Sequence, residues 1–580
     1  MPDNKPLAPP APSDLAPSAI APESRGLNRP APHKRVGRAA VILTALTLLV
    51  LGRCCLGQFV TWDDEFVIYA NPSIVHPDAA GLRKIWTHPD PQLYIPVVYT
   101  VWWYISIAES SLSQNSSLRQ MPYHVANLLV HLASVLIVWR ILQWVVTAAE
   151  RATGDSGDAS GKDRGLGWPA LAGAALFAIH PLQVEPIAWA TGMKDLLGGL
   201  LALASVAMYL AGRLDTRPRR ARRRMGWAMA LYIVAILAKP SAVVTPLIAG
   251  VLDWLISRRS ARSVAGRLAI CLVPALACVM VTTMLRPSMA MVYVRIADRP
   301  RVAGDALAFY LEKLIWPAHL AMDYGRTPAR VLANPWTRLA WIIPAGLALV
   351  IWRLRRREFI AAGLITLAAL LPVLGLIPFG FQWTSTVADR YFYLAMLGPG
   401  LALASALASV RSPAWPAVVV TLLVLIAAGM KSFVQVGTWH DNYTMYEHAL
   451  EVNPHSWVAS KNLAVVLDRA GRSAEAMNYY VLHLNLDPGS DEPYENLVMA
   501  LPRAQAQRPD ENPRWAALHE RVADHDLANG RRARAIEQLR EAAALLPADS
   551  AGSPTTRKLH EWESESSPPA LPAASPQAIK

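Results

Sequence analysis

The chain has 580 residues, of which 53% are hydrophobic and only 17% are charged, and its mean hydropathy is +0.24. This composition excludes an ordinary soluble protein of that length and indicates a membrane protein. The net charge of +13 does not indicate nucleic-acid binding, because the arginines stand in short clusters between apolar runs rather than along one polar domain.

The two ends of the chain differ from the rest in composition. Residues 1–38 begin with a stretch rich in Pro and Ala. Because of this stretch, the first apolar run lies too far from Met1 to be a simple secretory signal peptide. We predict a disordered cytoplasmic tail there. Residues 551–580 are rich in Ser, Pro, Ala and Glu, and we predict a second disordered tail without a packed core.

Residues 39–437 are predicted to form the membrane domain, an all-α bundle of about eleven spans. Arginine clusters alternate with acidic and aromatic connections along this domain. The positive-inside rule places the arginine clusters and the N-terminus in the cytoplasm. The predicted spans begin near Ala39, Tyr123, Trp168, Leu197, Trp227, Val243, Val264, Trp336, Phe359, Tyr391 and Trp415.

The connections on the extracytoplasmic side hold most of the acidic, histidine and aromatic residues. Two of them, residues 61–122 and 286–335, are long for membrane connections. Within them, Tyr94–Ile107 and Leu307–Ile315 are predicted to be helices lying in the interface. An odd number of spans places the C-terminal domain outside as well.

Residues 438–550 carry a repeat with a period of 34 residues, because Asn462-Leu463 recurs as Asn496-Leu497. Gly471 with its downstream Ala and Pro is also repeated at Gly530 with the same spacing. A Gly at the turn, an Ala at the helix crossing and a Pro after the second helix form the tetratricopeptide pattern. Such stacks bind extended peptides, so we expect a protein partner. The alternative is that these helices only cap the membrane domain.

Three consecutive acids follow directly on the first span, in the sequence Thr61-Trp62-Asp63-Asp64-Glu65. Either Asp63 or Asp64 can act as a general base on an acceptor hydroxyl within hydrogen-bond reach. The alternative interpretation is an acidic helix end facing water.

Histidines and an asparagine lie on one face of the second predicted span, where His124, Asn127 and His131 are spaced at i, i+3 and i+7. Imidazoles at this spacing can bind a metal, but such a face is more often buried and hydrogen-bonded between helices. The four cysteines lie inside apolar runs and lack the spacing of zinc ligands. We therefore predict no metal site, although a divalent metal stays an open alternative.

Arg390 opens the tenth predicted span at its outer end, within Asp389-Arg390-Tyr391. An arginine at that depth can pair with a lipid phosphate through two parallel hydrogen bonds. The alternative is an interfacial anchor whose charged end reaches for water.

In this order the motifs closely resemble the transmembrane and tetratricopeptide repeat-containing O-mannosyltransferases, a family of the GT-C class of polyprenyl-phosphate-sugar glycosyltransferases. The resemblance covers residues 39–548, approximately, and its repeat array is shorter than in many relatives, which leaves the acceptor open. It is carried by Asp63-Asp64, Asn71-Pro72, Tyr94-Ile95-Pro96, His124 to His131, His180-Pro181 with Glu185, Lys194-Asp195, Trp316-Pro317 with Asp323-Tyr324, and Asp389-Arg390-Tyr391.

The resemblance implies a membrane enzyme that moves a sugar, usually mannose, from a polyprenyl-phosphate carrier to Ser or Thr of a protein at the extracytoplasmic face. It implies no cofactor besides that lipid-linked donor. Asp63 or Asp64 would be catalytic, with Asp63 preferred as the base, and Arg390 and Lys194 would bind the donor phosphate. The remaining motif residues would line the substrate pocket, namely His180, Glu185, His124, Asn127, Asp323, Tyr324, Asp389 and Tyr393.

Three other functions remain open from the residues alone. A GT-C enzyme that glycosylates a lipid or a glycan is the nearest alternative, because the repeats are the only clue to the acceptor. A non-catalytic membrane-anchored repeat scaffold is the second. A transporter or flippase is disfavoured, because its polar groups would lie at mid-depth in both halves of the bundle rather than on one outer face.

Overall fold

The protein is all-α, as the sequence predicts. A computed structural model describes residues 32–88, 94–112, 119–152, 167–284, 294–410, 415–547, 550 and 552–566, and every regular element in these ranges is a helix. The predicted tails 1–38 and 551–580 and the loops 61–122 and 286–335 therefore lie partly outside the described residues.

Within the described ranges, eighteen helices precede residue 440, and short 3₁₀ turns connect several of them. They are α1 Pro32–Leu51, α2 Pro72–Val75, α3 Ala79–Thr87, α4 Pro96–Leu112, α5 Met121–Ala152, α6 Trp168–Ile179, α7 Val184–Ala188, α8 Met193–Arg213, α9 Pro218–Ala238, α10 Thr245–Ser257, α11 Ala261–Leu268, α12 Leu272–Met284, α13 Arg299–Ile315, α14 Pro328–Ala333, α15 Ile342–Leu354, α16 Arg357–Leu370, α17 Leu397–Ala408 and α18 Trp415–Gly437.

From residue 440 onwards, the regular elements that the structure describes are again helices. They are α19 Asn442–Val452, α20 Trp457–Arg469, α21 Ser473–Leu486, α22 Glu492–Gln507, α23 Asn512–Ala528, α24 Arg532–Ala544 and α25 Pro554–Ser566.

Seven helical segments within the described ranges are long and apolar enough to cross a membrane, and the bent pair α6 and α7 makes eight. The protein is an integral membrane protein. The sequence predicts about eleven spans, so three are not supported. The predicted spans near Phe359 and Tyr391 correspond to α16 and α17, which have only 14 and 12 residues. The span near Trp227 corresponds to α9, whose first turns are rich in arginine.

Large apolar side chains point outward from several of these helices. Leu276 of α12 is 67% exposed, and Ile342 of α15 and Leu423 of α18 are similarly uncovered. Such faces are unfavourable in water, whereas hydrocarbon covers them without cost. They mark the surface that the bilayer contacts.

Helix α6 lies in the middle of the bundle and sets the position of the site. Its Gly173 packs directly on Gly400 of α17, because a Cβ at residue 173 would lie 2.3 Å from the carbonyl oxygen of residue 400. Small residues allow this close approach of two membrane helices. After α6 the chain bends by 54° at His180-Pro181 and continues as α7. The bend brings Glu185 to the end of the bundle.

The C-terminal helices follow one another as packed neighbours. Gly471 lies between α20 and α21 with a φ of +77°, and Gly530 lies between α23 and α24 with a φ of +74°. Residues with a side chain rarely adopt this left-handed conformation, so these turns require glycine. Both glycines were predicted as inter-helix turns. The assignment of the whole segment to tetratricopeptide repeats stays a prediction.

The prediction of two disordered tails is wrong in part. Helix α1 already begins at Pro32, inside the predicted N-terminal tail. Helix α25 occupies Pro554–Ser566 inside the predicted C-terminal tail. Its Leu559 and Trp562 pack on α24 and are nearly buried. These two apolar side chains attach the amphipathic helix α25 to α24. The average composition of the segment is polar, so it does not reveal them.

Candidate active site

Charged side chains from five segments of the membrane domain meet at one end of the bundle. The loop after α1 contributes Asp63, α7 contributes Glu185, and the start of α8 contributes Lys194 and Asp195. Lys239 stands at the break between α9 and α10, and Arg390 stands in the turn that precedes α17.

Asp64 ties the loop after α1 to the turn before α8. Its carboxylate is fully buried and accepts hydrogen bonds from the backbone N–H of Val60 (2.9 Å), from the backbone N–H of Thr191 (2.9 Å) and from the Thr191 hydroxyl (2.5 Å). Burial raises the pKa of Asp64 to about 7, although the hydrogen bonds oppose the shift. No surface of Asp64 is left for a substrate.

Asp63 is the accessible member of the acidic pair. Its side chain is 40% exposed, and one carboxylate oxygen lies 3.1 Å from Nζ of Lys194. The ammonium group of Lys194 also lies 4.5 Å from the centre of the Trp189 ring. A half-exposed carboxylate is open to a ligand, as a general base must be.

Arg390 is buried and paired with Glu185. The guanidinium donates to the Glu185 carboxylate, and the backbone N–H of Arg390 donates to the other carboxylate oxygen at 2.8 Å. The rings of Phe381 and Tyr391 lie 4.3 and 5.1 Å from the guanidinium carbon. The aromatic rings and the ion pair hold the cation in one orientation. Glu185, predicted in the substrate pocket, is thus the counter-ion of Arg390.

Lys239 and Asp195 form a second ion pair that the site prediction missed. Nζ of Lys239 donates to Asp195 and lies 5.7 Å from the centre of the Tyr391 ring. Gly198 makes room for Lys239, since a Cβ at residue 198 would lie 2.8 Å from the lysine Cβ. The sequence does contain a signal for Lys239, since it is a lysine at the break in an apolar stretch. Ionisable residues at membrane depth are costly and usually functional, so such a lysine indicates a site residue.

A small cavity lies between the Lys239–Asp195 pair and Arg390. The cavity, about 40 Å³ in volume, is lined by Asp195, Lys239, Arg390, Tyr391 and Tyr393 among others. Burial alone would lower the pKa of Arg390, but the negative charges of Glu185 and, to a smaller extent, Asp63 raise it above its ordinary value. Asp63 and Arg390 therefore belong to the same charged cluster.

Asp389 and Tyr324 form a buried pair beside this cluster. The tyrosine hydroxyl donates to Asp389 at 2.6 Å. Burial, followed by the nearby negative charge of Glu185, raises the pKa of Asp389 well above its ordinary value. The two residues come from the long outer loop and from the turn before α17, so their contact fixes the position of that turn.

Asp323 contacts the C-terminal domain rather than the charged cavity. Its carboxylate accepts hydrogen bonds from the Ser456 hydroxyl (2.6 Å), the Asn453 amide (3.2 Å) and the backbone N–H of Gly325 (2.7 Å). Gly325 has a φ of +59°, and a Cβ there would lie 2.5 Å from the Asn453 amide nitrogen. A role of Asp323 in the substrate pocket stays a prediction.

Four further predicted residues lie inside the helix bundle. The Asn127 amide donates to the Trp189 carbonyl oxygen at 2.7 Å, and the Tyr393 hydroxyl lies 3.1 Å from Nδ1 of His131. His180 lies 3.0 Å from the Leu314 carbonyl oxygen, and His124 is fully buried. These contacts position α5, α7 and α17, and a substrate role stays a prediction. Across the described ranges, no group of three or more His, Cys, Asp or Glu side chains is arranged to hold a metal.

Comparison with known proteins shows similarity to named transferases in sequence. No family model matches the sequence. A protein O-mannosyl-transferase of Caenorhabditis elegans is 23% identical over 480 residues, which are 78% of this chain and 64% of that protein. The chain resembles protein O-mannosyl-transferases. It spans less than two thirds of the length of this relative.

A second protein O-mannosyl-transferase, from Drosophila melanogaster, is 32% identical over 108 residues, which are 18% of this chain and 12% of that protein. Among solved structures, ArnT from Cupriavidus metallidurans bound to undecaprenyl phosphate aligns with 84% of this chain and 81% of its own, at 16% identity and a TM-score of 0.34. A score this low does not establish a common fold, so the resemblance to O-mannosyl-transferases rests on sequence.

Proposed function

We propose that the protein is a membrane glycosyltransferase that moves mannose from a polyprenyl-phosphate carrier to a Ser or Thr hydroxyl of a protein at the extracytoplasmic face. The observation that carries the proposal is the half-exposed carboxylate of Asp63, 3.1 Å from Lys194 in the same cluster as Arg390. The sequence similarity to protein O-mannosyl-transferases supports the reaction class.

The cations of the cluster are suited to a lipid-linked phosphate. Lys194 and Lys239 are partly accessible, with 15% and 18% of their side chains exposed, whereas Arg390 is buried. A phosphate that leaves as an anion is stabilised by cations already fixed in place, because little reorganisation is then needed during the reaction. The carrier tail would stay in the bilayer while its head reaches these cations.

The proposed reaction is a single displacement. The acceptor oxygen forms a bond to the anomeric carbon of the sugar while the bond from that carbon to the phosphate oxygen breaks. The hydroxyl proton passes to Asp63, and the electron pair leaves on the phosphate, where Lys194 and Arg390 stabilise the charge. Attack opposite to the leaving group inverts the configuration at the anomeric carbon.

The ion pair between Lys194 and Asp63 offers a way to activate the base. When a donor phosphate enters, Lys194 can bind the phosphate instead of the carboxylate, because both are oxygen anions within reach of one flexible ammonium group. Asp63 then loses its ion-pair partner, and its carboxylate is free to face the acceptor hydroxyl. Donor binding would thereby prepare Asp63 for the acceptor.

A series of aromatic side chains gives the acceptor a path towards the cluster. The Trp62 and Phe381 rings lie 6.3 Å apart, and Phe381 covers the Arg390 guanidinium. Trp383 follows Phe381 by two residues and is 56% exposed. Its ring lies 5.0 Å from the ring of Trp457 at the start of α20. An extended peptide held by the C-terminal helices would cross these rings.

The proposed orientation follows from the charges. The arginine clusters stand at the end of the helices opposite the candidate site, so the N-terminus faces the cytoplasm. The charged cluster and the C-terminal domain then share the extracytoplasmic side. Hydrogen bonds join the two, among them Thr61 N–H to Asn442 at 2.7 Å and the Ser456 hydroxyl to Asp323 at 2.6 Å.

The experiment that tests the function uses the purified full chain in lipid. It is incubated with a panel of polyprenyl-phosphate sugars and Ser- or Thr-containing peptides, and the products are weighed by mass spectrometry. We expect a peptide carrying one added mannose. Transfer to lipid or glycan instead of peptide would replace the acceptor part of the proposal. Absence of any sugar product with every donor would favour the non-catalytic scaffold.

A further inference from the structure

A second polar site lies at the other end of the same helices. A cavity of about 280 Å³ opens between α8, α9, α10 and α11. Along α8, Lys194 of the candidate active site lies in the first turn, whereas Arg213 of the cavity is the last residue. A helix rises 1.5 Å per residue, so about 28 Å separate them, roughly the thickness of a hydrocarbon core.

The polar end of the cavity is built around one buried carboxylate. Asp253 is 1% exposed and accepts hydrogen bonds from the Tyr209 hydroxyl (2.8 Å) and from Arg267 (3.1 Å), and Nε of Arg213 lies 3.4 Å away. Two guanidinium groups thus face a single carboxylate, which leaves an excess of positive charge. Their Nε atoms are buried and lack a hydrogen-bond partner among the residues that the structure describes.

The remaining walls of the cavity are largely apolar, and they include Met225, Leu268, Ile270 and Cys271. Ile270 is 64% exposed on the side that the bilayer contacts. A ligand that satisfies both ends must carry an anionic head and a hydrocarbon chain. A free phosphate ion would leave the apolar walls without a partner.

We propose that this cavity binds an anionic phospholipid. Its phosphate accepts hydrogen bonds from Arg213 and Arg267, and one acyl chain runs past Met225 and Ile270 into the bilayer. Asp253 holds both guanidinium groups in place and keeps them from pairing elsewhere. Basic pockets between membrane helices on the arginine-rich side bind lipid heads of this kind. The site is separate from the proposed sugar transfer and does not depend on it.

The test compares two lipids and two matched variants. Full-length protein in phosphatidylcholine nanodiscs is titrated with phosphatidylglycerol, and the lipid retained after gentle extraction is weighed by native mass spectrometry. We expect the wild type to retain phosphatidylglycerol selectively. The double variant R213Q/R267Q should bind it about tenfold more weakly or worse, since each arginine contributes to holding an anionic lipid. The control R258Q/R259Q loses the same charge from exposed residues outside the cavity and should bind normally.

A variant that leaves the charges intact tests the apolar end. Cys271→Phe fills the lipid-facing part of the cavity and should also weaken retention, whereas inorganic phosphate should not displace the lipid. If R213Q/R267Q fails to fold, the lipid retention of Cys271→Phe alone tests whether the cavity binds the lipid. Equal retention of both lipids by the wild type, normal retention by Cys271→Phe, or an equal loss in R258Q/R259Q would overturn the proposal.

Discussion

Asp63 and Asp64 are neighbours in the chain, yet their carboxylates have opposite surroundings. Asp64 is enclosed by hydrogen-bond donors from Val60 and Thr191, whereas Asp63 faces Lys194 and solvent. The choice of base follows from this difference, because a group without free surface cannot reach a substrate proton. The role of Asp64 is to hold the loop in which Asp63 stands.

The first prediction concerns pH and Asp64. Its pKa is about 7 in the folded protein, against an ordinary value of 3.8, so the folded state binds more protons than the unfolded state between these values. The contribution of this group to stability is full below about pH 4 and is lost as the pH rises towards 7. The unfolding midpoint of the detergent-solubilised wild type should therefore fall as the pH rises from 4 to 7. The midpoint of Asp64→Asn should change less over the same pH range. Parallel curves would contradict the assignment.

The second prediction concerns the buried pair of Arg390 and Glu185. Removal of one partner leaves an uncompensated charge, which costs about 3–5 kcal/mol. Glu185→Gln and Arg390→Gln should each destabilise the protein, and the double variant should cost clearly less than their sum, because the two residues act as a unit. The free energy of unfolding is measured by denaturation in mixed detergent micelles for the wild type, the two single variants and the double variant. Additive losses would show that the two side chains do not depend on each other.

The sequence indicated part of this cluster but not its pairing. An acidic pair after the first span and Arg390 at the outer end of a later span were visible as charged residues at membrane boundaries. Which acid is buried depends on Thr191, 127 residues away. Lys239 was missed as a site residue because its partner Asp195 lies on another helix. Contacts of this range follow from helix packing, which local patterns do not encode.

The elements that carry the site are mostly ends and interruptions of helices. α6 bends by 54° into α7, α9 and α10 meet at Lys239-Pro240, and a short turn precedes α17. Proline explains two of these breaks, since it removes a backbone donor and clashes with the preceding turn. The sequence predicted helices in all these regions. It overestimated the spans because apolar composition alone did not reveal that α16 and α17 are short.

The third prediction concerns the connection between the outer loop and α20. Asp323→Ala would leave the donors of Ser456, Asn453 and Gly325 without their acceptor, which costs about 1–3 kcal/mol where such groups stay buried. We expect faster hydrogen exchange in α19 and α20, while α8 and α10 keep their protection. The control Asp510→Ala changes an exposed acid of the same domain and should have no effect. Unchanged exchange in Asp323→Ala would contradict this role.

The whole molecule separates two groups of charged residues. The ion pairs of Asp63, Glu185 and Asp195 lie at one end of the membrane helices, where the C-terminal helices also attach. The arginine clusters, with Asp253 among them, lie at the other end. This arrangement allows one side to receive a lipid-linked sugar and a polypeptide together. The same separation places the two proposed lipid sites, one for the donor and one for an anionic phospholipid, at opposite ends of α8.

The fourth prediction follows from this separation. In a background without the native cysteines, a single cysteine at residue 259 should react with a membrane-impermeant reagent only after the cells are opened. A single cysteine at residue 490 should react in intact cells or in spheroplasts, because the proposed orientation places the C-terminal domain outside. Both variants should react equally once the membrane is dissolved. Labelling of both positions from the same side would contradict the proposed orientation.

The central claim is that Asp63 takes the proton of the acceptor hydroxyl, and the rate of mannose transfer to peptide tests it most directly. With polyprenyl-phosphate mannose as donor, Asp63→Asn should fold normally and transfer at least about a hundredfold more slowly than the wild type, as expected for loss of a general base. The matched control Glu65→Gln, two residues away, should keep the wild-type rate. A folded Asp63→Asn that transfers mannose at the wild-type rate would contradict the account.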